Sequence, residues 1–259
     1  MNIYPEIRPL AACICAATFL SSGAFAGTEP VDDALPLVGS AGHGHTYPGA
    51  TVPFGFVQLS PDTRTEGWDA CSGYHYSDSN IIGFSHTHLS GTGCGDLGDL
   101  LVTPYVGSNG GAATLRATGI RSHFSHNDEV AQPGYYEVLL ERDHVKAELT
   151  ATPHSALHRY TFPTSTESHI ALDLVYGLGS KTLDGALQIE NRTTISGYRH
   201  SGGWANDKTI YFVMESSQPF ARTALELDGK ILPPEAREAK GKNVRLDWTI
   251  KLHRSDRFY

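Results

Sequence analysis

The chain is poor in sulfur, with four cysteines and two methionines in 259 residues, and Cys13 and Cys15 both fall within the first 26 positions. Cys71 and Cys94 are left without CxxC partners, which excludes a disulfide-dense scaffold and a thiolate zinc cluster. Basic residues are also scarce, 20 Lys and Arg against 28 Asp and Glu. The resulting net charge of −8 excludes a surface built to neutralise nucleic acid or an anionic membrane. Beyond Leu10–Leu20 no apolar run approaches the ~18 residues that a membrane helix needs. No amphipathic helical pattern and no GxSxG nucleophile motif is present.

Residues 1–26 have the layout of an export signal. Arg8 lies in a short basic start, Leu10–Leu20 is apolar, and Ala24-Phe25-Ala26 supplies the small-residue end. Cleavage there predicts an exported chain of residues 27–259, periplasmic or secreted. Leu10-Ala11-Ala12-Cys13 has the look of a lipid-attachment box, but almost no apolar run precedes it, which disfavours a lipid on Cys13. In an oxidising compartment Cys71 and Cys94 form an even pair, open to two readings: one disulfide, or two buried thiols.

From Gly134 onward the pattern has a period of two. Val145, Ala147, Leu149 and Ala151 alternate with polar residues, and Ile170, Leu172 and Leu174 alternate with Ala171 and Asp173, which predicts half-buried strands. Similar runs at Tyr135–Glu141, Ala156–Phe162, Thr193–His200 and Lys208–Glu215 are bounded by Gly, Pro, Asn or Asp. Regularly spaced short strands predict an all-β antiparallel sandwich or barrel. Residues 39–99 predict long Gly-rich loops around two strands, Gly55–Ser60 and Ile81–Thr87, and irregular segments of that length are usually functional. The tail, Gly229–Tyr259, is charged and carries no recognisable domain-closing element, so the chain reads as a fragment.

Within the loops, Gly93-Cys94-Gly95-Asp96-Leu97-Gly98 fits GxGxxG spacing, but a strand signal at Asp99–Tyr105 follows where a dinucleotide site needs a helix. His43-Gly44-His45 and His86-Thr87-His88 place imidazoles at i and i+2, one face of a strand. They read either as metal ligands joined by Asp69, Asp96 or Asp99, or as packed histidines lining a polar pocket. Trp68, Tyr74, Tyr76 and Tyr47 stand beside these groups, a mixture that suits a sugar ring stacked on an aromatic face, although Trp68 could equally anchor the core. Asp62, Glu66, Asp69, Asp78, Asp96 and Asp99 are the candidates for paired carboxylates.

Four ordered stretches carry a more specific signal: GSAGHGHTYPGATVPFGFVQLSPDTR (39–64), GWDACSGYHYSD (67–78), IIGFSHTHLSGTGCGDLGDLLVTP (81–104) and FSHNDEVAQPGYYEVLL (124–140). From about Asp33 to about Val244 the chain resembles the N-terminal domain of glycoside hydrolase family 92, the exo-acting, inverting α-mannosidases. The resemblance implies a large antiparallel β-sandwich of the galactose-mutarotase-like supersandwich type, followed in the family by an (α/α)₆ barrel that carries the general acid, the general base and most groups for a calcium ion. It implies α-mannoside glycans as substrates, with Trp68, Asp69, Cys94, Gly95 and Asp96 lining the cleft and His43, His45, His86 and His88 in or behind it. Cys71 and Cys94, if bonded, would tie the two loops. No catalytic residue is expected here, since the chain ends before the barrel would begin, and the chain alone is expected to be inactive. Two other functions stay open: a free-standing mannoside-binding module, and a metal-dependent β-sandwich enzyme built on the His-x-His pairs.

Overall fold

Eighteen strands and no α-helix make up the residues that the structure, a computed structural model, describes: 29–107, 119–164 and 167–250. The export-signal and Cys13 readings lie outside them. Among the described residues no helix is long and apolar enough to cross a membrane.

All strand pairings are antiparallel. One eight-stranded sheet runs in the order β1 (Ala50–Thr51), β2 (Gln58–Asp62), β4 (Gly83–Ser85), β5 (Leu101–Val106), β11 (Ser168–Asp173), β18 (Val244–Ile250), β15 (Phe220–Leu227), β16 (Lys230–Ile231). Two four-stranded sheets cover it. The first has the order β10 (Ala156–Thr161), β9 (Val145–Ala151), β8 (Tyr135–Leu140), β7 (Glu129–Gln132). The second has the order β14 (Lys208–Glu215), β13 (Thr194–Gly202), β12 (Lys181–Ile189), β17 (Glu238–Gly241). A two-stranded ribbon pairs β3 (Asn80–Ile81) with β6 (Ser122–His123).

The predicted alternation is what builds the sandwich. In β8 the burial alternates residue by residue, with Tyr136, Val138 and Leu140 inward. They join Ala147 and Leu149 of the first small sheet, Leu187, Ile195 and Ile210 of the second, and Leu172, Leu246 and Trp248 of the large sheet in one apolar cluster. Each fully buried side chain of this kind contributes roughly 1.5–3 kcal/mol.

Two expectations are corrected. Ser168–Asp173 is buried at every position rather than on one face. Its second face carries His169 and Asp173, whose polar groups meet Asp247 at 3.0 Å and Arg245 at 2.9 Å. The charged tail also contains a core strand: β18 lies between β11 and β15. The two predicted loop-region strands shift as well. Gly55–Ser60 becomes Gln58–Asp62, and Ile81–Thr87 splits into short pieces that end at Ser85.

Candidate functional site

The loops that precede β5 meet at Trp68. Gly67 enters with φ of 87°, and Trp68–Ala70 forms a single 3₁₀ turn. The indole is 60% exposed, yet it is fixed in place. Its Nε1–H donates to the Gly93 carbonyl oxygen at 3.0 Å, and the His45 ring packs edge-on against it with centroids 4.4 Å apart. The His43 ring lies 5.4 Å away. Gly93 has φ of 63°, and a Cβ there would come within 3.1 Å of the indole nitrogen, so the close approach of the two loops needs glycine.

Asp69 is the focus of the same cluster. Its Oδ1 lies 3.0 Å from His43 Nδ1 and 3.3 Å from His45 Nε2. The hydrogen bond from His43, seconded by that from His45, holds the carboxyl below the usual carboxylate range. His45 is buried behind the indole, whereas the His43 side chain is largely exposed. An exposed aromatic face beside an ionised carboxylate and a solvent-facing imidazole can stack a sugar ring and accept or donate to its hydroxyls.

Cys71 and Cys94 are free thiols, the first buried and the second half-buried, so the disulfide reading is corrected. Burial pushes the Cys71 thiol up, and the Asp69 charge and then Cys94 add smaller contributions in the same direction. What joins the two loops is the Trp68–Gly93 hydrogen bond. Gly95 packs against the Leu178 carbonyl, where a Cβ would come within 2.7 Å. Asp96 is buried and saturated: Ala205 N–H donates to Oδ2 at 2.8 Å, Leu97 N–H to Oδ1 at 2.7 Å, and Lys208 Nζ lies 3.5 Å from Oδ1. Burial opposes ionisation of Asp96, but the Ala205 and Leu97 amides and Lys208 outweigh it and hold the carboxyl low. It clamps the hairpin between β13 and β14, whose tip carries the exposed Trp204. That tip was detectable in sequence as an aromatic in a Gly202-Gly203-Trp204-Ala205-Asn206-Asp207 turn between two alternating runs.

His86 and His88 follow β4 in a loop and diverge, whereas His43 and His45 converge on Asp69. His88 Nδ1 faces the Gln58 carbonyl at 2.7 Å, and its Nε2 faces Asp62 at 2.8 Å and Ser85 at 3.1 Å. His86 points the other way, with Nδ1 2.7 Å from the Leu100 carbonyl and Nε2 3.0 Å from His158 Nε2. Burial lowers the His86 pKa to about 4. A cavity of about 330 Å³ opens beside His86 and His158, between β10 and β14, where Val102, Ile170, Ile195 and Phe220 share the walls with His154, Ser155, Tyr211 and Glu215. Among the described residues no three or more His, Cys, Asp or Glu side chains gather as ion ligands. The carboxylates near the loops are already engaged: Asp69 by imidazoles, Asp62 by His88, Asp96 and Asp99 by Lys208. This donor set does not fit a calcium site, which needs six to eight oxygen ligands.

Comparison with known proteins places the fold. The chain is similar to an α-mannosidase of family GH92 from Bacteroides thetaiotaomicron solved in complex with mannoimidazole, with 36% identity and a TM-score of 0.81 over 88% of this chain and 31% of that one. The family GH92 glycosyl hydrolase ccman5 superposes with a TM-score of 0.76 at 27% identity, over 85% of this chain and 30% of that one. A protein named as an uncharacterized secreted glycosidase, from Arthroderma benhamiae, is 32% identical over 143 residues, 54% of this chain and 18% of its own length. The chain thus spans about a third or less of each of these relatives. The family model described as the glycosyl hydrolase family 92 N-terminal domain matches residues 35–253, which takes in all four loop motifs, the whole sandwich and the β18 strand, and the chain belongs to that family.

Proposed function

We propose that this chain forms one wall of the sugar site of an exported α-mannosidase that trims α-mannosides from glycans. The observation that carries the reading is the Trp68 indole, exposed yet immobilised beside Asp69 and His43. The ring C–H face of a mannoside stacks on the indole, and its hydroxyls bond to the Asp69 carboxylate and the His43 imidazole. Calcium and the bond-breaking step belong to groups outside this chain. Inverting hydrolysis needs a carboxylic acid with a raised pKa and a separate base. Here Asp69, Asp78 and Asp96 are all held low, and Asp62 and Asp99 are completely buried.

Calorimetric titration of the purified chain with methyl α-mannoside, with and without calcium, tests this, alongside an assay for mannose release. Weak saturable binding, lost in Trp68→Ala, is expected, with no release of mannose; half a cleft leaves much of the sugar in water. Absence of heat at high sugar concentration overturns the sugar site. Mannose release overturns the assignment of the chemistry to other groups.

A further inference from the structure

Two of the three tryptophans are exposed, Trp68 at 60% and Trp204 at 67%, whereas Trp248 is 1% exposed. Both exposed rings hang from one short stretch. Trp68 is bonded to Gly93, and the turn that carries Trp204 is bonded to Asp96 through Ala205 N–H. Gly93 and Asp96 are three residues apart, so their Cα atoms lie within about 11 Å of each other.

The anchoring of Trp204 is unusually heavy for a hairpin tip. Gly203 N–H donates to the Ala205 carbonyl at 3.0 Å, and a Cβ on Gly203 would fall 2.7 Å from Asp96 Oδ1, so the turn sits directly on that carboxylate. Lys208, at the start of β14, reaches Asp96 at 3.5 Å and Asp99 at 3.1 Å. Asp99 in turn pairs with the completely buried Arg199 of β13. Desolvating two carboxylates and two cations is costly, and an ordinary hairpin closes with a Gly-containing turn alone. What the network adds is a fixed position for the backbone around Trp204. An amphipathic, exposed ring carried on a fixed backbone loses less entropy when something stacks on it than one on a loose turn.

We propose that Trp204 is a second stacking platform, which takes the sugar ring next to the one at Trp68, so that the two indoles hold consecutive rings of a mannoside glycan. This rests on the sugar site described above. Calorimetric titration of the purified full chain with methyl α-mannoside and with an α-linked dimannoside tests it. The wild type should bind the dimannoside more tightly. Trp204→Ala should erase that preference, weakening the dimannoside about five- to tenfold while leaving the monosaccharide within about twofold. Trp204→Phe should retain most of the preference, and Trp68→Ala should weaken both sugars. Equal affinity of the wild type for the two sugars, or a Trp204→Ala effect that is absent or the same for both, overturns the second platform and leaves the Trp68 site standing. A wild type that binds neither sugar overturns both.

Discussion

The indole N–H of Trp68 donates to the Gly93 carbonyl at 3.0 Å, joining loops 25 positions apart in sequence. A large ring that is open to solvent and still held at its nitrogen keeps one orientation. The same contact explains why the Gly-rich loops have a defined shape without a disulfide.

Gly93→Ala tests the seat. The left-handed φ of 63° and the 3.1 Å approach of a Cβ to the indole nitrogen both oppose the substitution. A loss of about 1–2 kcal/mol in urea denaturation is expected, together with weaker sugar binding. Unchanged stability and affinity would show that the indole does not depend on this close approach.

The clamp beneath Trp204 makes a second prediction. Arg199 is completely buried; its Nε–H donates to the Leu174 carbonyl at 2.9 Å, and its Nη1 pairs with Asp99. Arg199→Met strips the guanidinium from a buried carboxylate and should cost about 3 kcal/mol. The double variant with Asp99→Asn should recover part of that loss in urea denaturation, because it also removes the buried charge that Arg199→Met would leave with Lys208 as its remaining cation. Additive losses would show that the two residues do not act as a pair.

The sequence displayed the sandwich where burial is one-sided and concealed it where polar groups are buried in pairs. Val145–Ala151 and Lys208–Glu215 were legible because one face is apolar. Val244–Ile250 passed for part of a charged tail because Arg245 and Asp247 are charged, yet they pair inside the fold with Asp173, Glu226 and His169. The site was legible as a pair of loops, and Trp68, Asp69, His43 and His45 do meet. The partners of Asp96, His86 and His88 were hidden for a physical reason: residue type and spacing show that a group is polar, and only the docked backbone shows whether an amide or another imidazole has already taken it.

The cysteines give a third prediction. Cys71 is buried and its thiol is pushed up by burial, while Cys94 is half-buried. Alkylation of the native chain followed by peptide mapping should label Cys94 quickly and Cys71 only after unfolding. A Cys71–Cys94 linked peptide in the unreduced protein would restore the disulfide.

The last prediction comes from the buried pair His86 and His158. His86 Nδ1 faces a carbonyl and must carry a proton, so its Nε2 accepts from His158 Nε2–H; His158 Nδ1 then accepts from the Tyr160 hydroxyl at 2.7 Å. Both rings are neutral in this arrangement. Burial lowers the His86 pKa to about 4, and burial, then the His86 charge, lowers that of His158. Above about pH 7.5 neither the folded nor the unfolded state binds these protons to a large extent, and the pair has little effect on stability. As pH falls from about 6.5 towards 4 the unfolded chain takes up protons that the fold excludes, so stability drops; for His86 alone the full effect is on the order of 3 kcal/mol. Carboxylates held low, such as Asp69 and Asp78, withdraw their contribution only below about pH 4, which separates the two windows. Urea midpoints compared at about pH 7.5 and about pH 5 should therefore fall for the wild type, and fall less for His158→Gln, which removes one of the two excluded protons. The same pH dependence in both proteins would mean that the chain of imidazoles is not what senses acid.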